Sequence, residues 1–107
     1  MAESEFDNLT DAYEAMVDWS KRLSREAPFF RRWFTRIGAS SVMDVACGTG
    51  HHAAMFHTDG LRVEGADVSP AMIERARSTF GTSPDLQWSV RSFEEPPLQN
   101  DPFDVVV

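Results

Sequence analysis

The sequence predicts an α/β fold in which a parallel sheet is sandwiched between helices and preceded by a helical extension. Three observations predict it. Apolar residues return at three- and four-residue steps as far as Ile37, then from Ser41 give way to short apolar runs separated by helical stretches. Val42-Met43-Asp44-Val45-Ala46 is an apolar run that feeds straight into Cys47-Gly48-Thr49-Gly50, a glycine turn of the kind that joins a strand to a helix. A second apolar run ends at Asp67 and is followed by Ser69-Pro70, an N-cap and a first-turn proline that together open a helix.

In chain order, Tyr13, Met16 and Val17, then Leu23, Phe29, Phe30, Trp33, Phe34 and Ile37 mark two helices, at about 6–25 and 28–37. Pro28 opens the second and Gly38 closes it. Residues 1–40 are therefore expected to form a helical cap, and residues 41–107 the sheet-containing part. Val42 to Ala46 is the first strand, and the helix after the glycine turn runs to about Thr58. Gly60 precedes a second strand from Arg62 to Ala66, and the helix opened by Ser69 runs to about Phe80, where Gly81 and Pro84 end it. A third strand is expected at Leu86 to Val90, a loop at Arg91 to Pro102 and a fourth strand at Phe103 to Val107. Phe-Asp-Val-Val-Val lacks polar alternation and reads as buried on both faces, so an edge left bare there implies either a shortened chain or a covering partner, a second copy included.

Composition narrows the function classes. Of 107 residues, 42% are hydrophobic and 25% charged, the range of ordinary globular proteins, and the length holds no more than one small domain. The net charge of -7 argues against nucleic acid and anionic membranes, which need a basic surface. No apolar run approaches a bilayer span, and the acidic start lacks the order of a signal peptide, so a cytoplasmic location is expected. Cys47 is the only cysteine, and no base accompanies it as a nucleophile would require.

The chemistry concentrates around the glycine turn. Gly48 and Gly50 permit close approach of a ligand to backbone, and Asp67, at the end of the second strand, lies where a carboxylate accepts hydrogen bonds from both hydroxyls of a ribose. Together they define a nucleoside-cofactor site. Gly48, Gly50 and Ala53 also fit the G-x-G-x-x-G/A spacing of nicotinamide dinucleotide sites. Asp44 discriminates between the two, because a carboxylate under the loop repels a pyrophosphate but suits a ligand carrying an ammonium and a sulfonium, as S-adenosylmethionine does.

These segments resemble the class I, Rossmann-like S-adenosylmethionine-dependent methyltransferases, most of all the small-molecule branch around the glycine and sarcosine N-methyltransferases. The residues that carry the resemblance are V-M-D-V-A-C-G-T-G from Val42 to Gly50, G-A-D-V-S-P-A-M from Gly65 to Met72, and Phe103-Asp104-Val105-Val106. The resemblance implies strand order 3-2-1-4, cut after the fourth strand, and transfer of a methyl group to a small-molecule acceptor, an amine in that branch. It further implies that Ala46 and Gly48 hold the methionine part of the cofactor, Asp67 the ribose, and Met72 the neighbourhood of the adenine, with Val68 also lining the cofactor site. Many members carry an Asp after the third strand to reach the adenine amino group. Arg91 stands there in this chain, and Ser92-Phe93 fits the variant of the branch in which a small polar residue and an aromatic take that role. Tyr13, Trp19, Arg22 and Leu23 resemble a lid helix, with Trp19 and Arg22 reaching the cofactor and Arg22 suited to its carboxylate. Acceptor-binding residues are expected beyond Val107.

Against these stand plainer readings. Taken singly, Tyr13 and Trp19 read as core packing, and Arg22 as a solvated charge. His51, His52 and His57 read as surface residues rather than metal ligands, since adjacent positions face different sides of a helix and nothing completes a ligand set. Glu94 and Glu95 read as loop charges, and no general base stands out. A binding module without turnover and a nicotinamide-dependent oxidoreductase are the rival functions.

Overall fold

The computed structural model describes residues 17–92 and 102–107. Helix α1 spans Trp19–Ile37 and is opened by the Asp18 side chain, which accepts the Lys21 N–H at 3.1 Å. Gly38, at φ 65°, turns out of the helix, and the next N–H, of Ala39, returns to the Phe34 carbonyl at 2.9 Å. One expectation is corrected: the helix capped by Asp18 runs from Trp19 unbroken through Pro28 instead of restarting there. The part of the first expected helix before residue 17 lies outside the described residues. Pro28 and Ser24, whose carbonyl loses its intrahelical partner to the proline, both lie on the exposed side of the helix, open to solvent.

The inner face of α1 carries Leu23, Ala27, Phe30 and Phe34 at helical spacing. Phe30 and Phe34 meet Phe56 of helix α2 (His51–Thr58) edge to face at 5.1 and 5.3 Å. Phe29, Trp33 and Ile37, read from periodicity as part of the same apolar stripe, lie on its outer flank and are exposed.

Strands β1 (Ser41–Asp44), β2 (Arg62–Asp67), β3 (Leu86–Val90) and β4 (Val105–Val106) form one parallel sheet in the order β3-β2-β1-β4, the order expected. Helix α3 (Pro70–Phe80) links β2 to β3. Residues one apart point to opposite faces, so Val42, Val63, Leu86, Trp88 and Val105 join Phe34, Ala53, Phe56, Ile73 and Ala76 in a single apolar core.

The opposite face is polar where sequence gave no warning. Glu64 of β2 is fully buried and ion-paired with Arg91, which is also buried. The Ser89 hydroxyl donates to Glu64 at 3.0 Å and accepts from Arg91 Nε at 2.9 Å, so Ser89 bridges the pair across β2 and β3.

β1 ends two residues short of expectation, since Val45 and Ala46 already turn, although the Val45 N–H still reaches the Val107 carbonyl at 3.0 Å. β4 is also shorter than the expected 103–107. Its entry is fixed by Asp104, whose carboxylate accepts from the Ser40 N–H at 2.7 Å and the Ser40 hydroxyl at 3.0 Å, bonds that hold its carboxyl below the usual range. The expectation of burial on both faces of β4 fails for Val106, which is 60% exposed while Val105 points into the core. Among the described residues no helix is long and apolar enough to cross a membrane.

Candidate functional site

The site forms at the carboxyl ends of β1 and β2, where parallel α/β sheets place their ligands. Between β1 and α2, Cys47 to Gly50 makes a tight loop pinned to β2: the Cys47 N–H bonds to the Ala66 carbonyl at 2.9 Å, and the Gly48 N–H to Asp67 Oδ2 at 2.9 Å. The other oxygen of Asp67 accepts from the Ser69 N–H at 2.9 Å. One carboxylate thus fixes both the glycine loop and the start of α3, whose first turn is capped by Ser69 Oγ accepting from Met72 N at 3.3 Å. Each carboxylate oxygen has a second lone pair, so Asp67 retains capacity for two further donors.

Asp44 lies beneath this loop, buried, with one oxygen accepting the Ala46 N–H at 3.3 Å. Burial pushes its carboxyl up to about 6, with the Asp67 charge adding to the rise and the Ala46 bond and His52 opposing it. Two carboxylates thus sit close enough to repel, and a cation set between them relieves that repulsion.

The glycines divide the work. Gly48 has φ 56°, and a Cβ there would meet no described atom within 4 Å, so its outer side faces the space above the loop. At Gly50, with φ 91°, a Cβ would come within 2.7 Å of the Trp88 ring and 2.8 Å of Ala76. Gly50 is therefore required by backbone conformation and by packing under the loop, not by a ligand approaching its Cα. Thr49 Oγ1 is buried and has no hydrogen-bond partner among the described residues. Cys47 behaves as loop filling: it is buried, and desolvation pushes its thiol far above the usual range.

The N-terminal end of α1 reaches the start of α2. Trp19 stacks on His51, the first residue of α2, with ring centroids 4.3 Å apart, and Arg22 lies over the Trp19 ring at 5.0 Å. Arg22 Nε bonds to Glu26 at 2.9 Å, and the second Glu26 oxygen meets His52 Nε2 at 2.6 Å.

The model of a family described as a methyltransferase domain matches residues 42–107. The chain belongs to that family. It is 41% identical over 70 residues to the glycine/sarcosine N-methyltransferase of Parasynechococcus marenigrum (strain WH8102), a match covering 65% of this chain and 25% of that one. With the dTDP-4-amino-2,3,4,6-tetradeoxy-D-glucose N,N-dimethyltransferase of Saccharopolyspora spinosa it shares 33% identity over 102 residues, 90% of this chain and 38% of that one. Among solved structures, S-adenosylmethionine-bound CalS10, an amino pentose methyltransferase from Micromonospora echinaspora, superposes with a TM-score of 0.66 at 30% identity, covering 89% of this chain and 40% of that one. The chain spans about a quarter to two fifths of the length of these proteins. Its sheet order is that of the class I, Rossmann-like methyltransferases.

In this methyltransferase domain the structure brings Asp44, Ala46, Gly48 and Asp67 together around one loop, while Trp19, stacked on His51, and Arg22 over Trp19 stand at the start of the following helix. Val68 is 72% exposed next to Asp67, and Met72 is half-buried on the first turn of α3. Ser92 follows Arg91, whose N–H bonds to the Asp67 carbonyl at 3.0 Å, so it emerges at the same edge. Phe93, Tyr13, Glu94 and Glu95 lie outside the described residues. Arg91, at the position where many members carry an acid, is turned into the sheet by Glu64. The reading of the histidines as surface residues is corrected for His51 and His52, both half-buried and engaged with α1. Sequence reasoning missed Glu26, His52, Glu64 and Thr49; only the last lay inside a motif already in view.

Proposed function

We propose that this domain binds S-adenosylmethionine at the β1–β2 end of the sheet and belongs to an enzyme that transfers its methyl group to an amine on a small molecule. The observation that carries the reading is the pair Asp44 and Asp67 flanking a glycine loop, with Asp67 bonded to that loop. A nicotinamide dinucleotide would set a pyrophosphate against this negative charge, whereas a ligand with an ammonium and a sulfonium is drawn to it. The named functions of the relatives, N-methylation of glycine and sarcosine and of amino sugars, support an amine acceptor.

The bound cofactor supplies an already activated methyl group on a cationic sulfur, so the protein's task is alignment. Asp67 accepts from the ribose hydroxyls while keeping its backbone bonds. Ala46 and Gly48 line the loop beside the methionine end, and Asp44 supplies negative charge beneath it. Val68 and Met72, with Ser92, border the adenine. Trp19 and Arg22 approach from α1, exclude water and face the cofactor carboxylate.

Titration calorimetry with S-adenosylhomocysteine, using NAD as control, tests the reading. Heat from the first ligand alone is the expected result; binding of NAD in preference overturns it.

A further inference from the structure

Two residues outside the loop and the ribose acid tie the lid to the site. α1 is anchored to α2 by Phe30 and Phe34 packed on Phe56, but Trp19 lies roughly 16 Å up the helix from Phe30. That end of α1 is attached by polar and ring contacts to the first turn of α2. Glu26 uses both oxygens, one for Arg22 Nε at 2.9 Å and one for His52 Nε2 at 2.6 Å. The imidazole of His52 lies near enough to buried Asp44 to oppose the rise of its carboxyl, and it packs edge-on to Trp19 at 5.8 Å. It therefore sits between the lid, the loop's buried acid and the helix that the loop begins.

We propose that Glu26 and His52 form a latch that holds the Trp19–Arg22 end of α1 against the glycine loop, making them positioning residues for the methionine end of the cofactor. The inference rests on the cofactor reading above. Glu26 fixes the Nε edge of Arg22, which sets the direction of the guanidinium plane. His52 fixes Glu26, so the orientation of Arg22 is referred to the first turn of α2 and through it to Gly48. Glu26 and His52 are partly exposed, at 31% and 19%, and His52 also packs on Phe30 and Phe56, so the test keeps Glu26→Ala, which leaves that packing intact, beside His52→Leu. The carboxyl of Glu26 is held below its ordinary value by the His52 hydrogen bond first and the Arg22 bond second, consistent with a carboxylate shared between them.

The test compares two ligands on the whole chain: S-adenosylhomocysteine, and 5′-methylthioadenosine, which has the same adenosine end without the amino-acid part. His52→Leu and Glu26→Ala are each expected to weaken S-adenosylhomocysteine by roughly tenfold while 5′-methylthioadenosine changes by less than about twofold. The double variant is expected to be no weaker than either single one, and His52→Gln, which keeps a donor for Glu26, to retain near-normal affinity. Should circular dichroism show His52→Leu unfolded, Glu26→Ala carries the same comparison. Unchanged S-adenosylhomocysteine affinity in the variants, or equal loss for both ligands, overturns the latch and leaves the cofactor reading standing. Failure of the unaltered chain to bind S-adenosylhomocysteine overturns that reading and the latch with it.

Discussion

At the scale of single residues, the two acids of the site do different work, and substitution separates them. Asp67→Ala removes the acceptor for two backbone N–H groups and, under the proposed function, for the ribose; S-adenosylhomocysteine affinity is expected to fall by about 1–3 kcal/mol, read by calorimetry. Asp44 acts on stability with the opposite sign to most acids. Its carboxyl is raised from the usual 3.8 to about 6 on folding, so the folded state holds the proton more tightly. The resulting stabilisation is complete below the unfolded value and is lost as pH rises through about 6. Asp44→Asn keeps the acceptor for Ala46 and should therefore raise stability at pH 7 by roughly 2–3 kcal/mol, with the gain vanishing near pH 4 in urea melts. Asp67 and Gly48 were legible because an acid at a strand end and a glycine after a strand have fixed meanings at fixed spacing. Glu26 and His52 were not, because their pairing joins two helices and leaves no local pattern.

At the scale of elements, boundaries followed caps wherever a cap was present. Ser69 and Pro70 set the start of α3 where expected, and Gly38 the end of α1. Pro28 misled, since a proline after a polar stretch reads as a start, and only the burial of Ala27 and Phe34 on either side of it shows a single helix. The cost of that interior proline remains in the helix. Pro28→Ala restores the N–H for the Ser24 carbonyl and is expected to stabilise the chain by about 1–3 kcal/mol, visible as a higher thermal midpoint. A lower midpoint would mean that the proline ring makes contacts which outweigh the missing bond. The strands were placed by their apolar runs, but their ends were not, because pairing decides where a strand stops and pairing is not local.

At the scale of the whole molecule, the change in apolar period at Ser41 gave the α/β class and the parallel sheet, while the strand order came from family resemblance. What stayed hidden was the second face of the sheet, because a glutamate within an apolar run and an arginine in a loop name no partner. Glu64 and Arg91 bind β2 to β3 from within, with Ser89 between them. Glu64→Leu alone leaves Arg91 buried without its carboxylate and is expected to cost about 3–5 kcal/mol, whereas Glu64→Leu with Arg91→Met should return close to the original stability in urea denaturation. A single variant as stable as the parent would show that the pair carries no such charge balance.

On the core face of the sheet, Trp88 lies where side chains at both Gly50 and Gly65 would otherwise stand, within 2.7 Å and 2.6 Å of their added Cβ positions. The two glycines are not equally bound to it. Gly50 also has a positive φ, so it stays glycine whatever occupies position 88, but Gly65 has no such constraint and is kept small chiefly by the indole, with the Cys47 sulfur, 3.2 Å from the added Cβ, the next limit. Descendants of this sequence can therefore exchange the bulk of position 88 for bulk at position 65 in paired steps, while position 50 stays fixed through every such exchange.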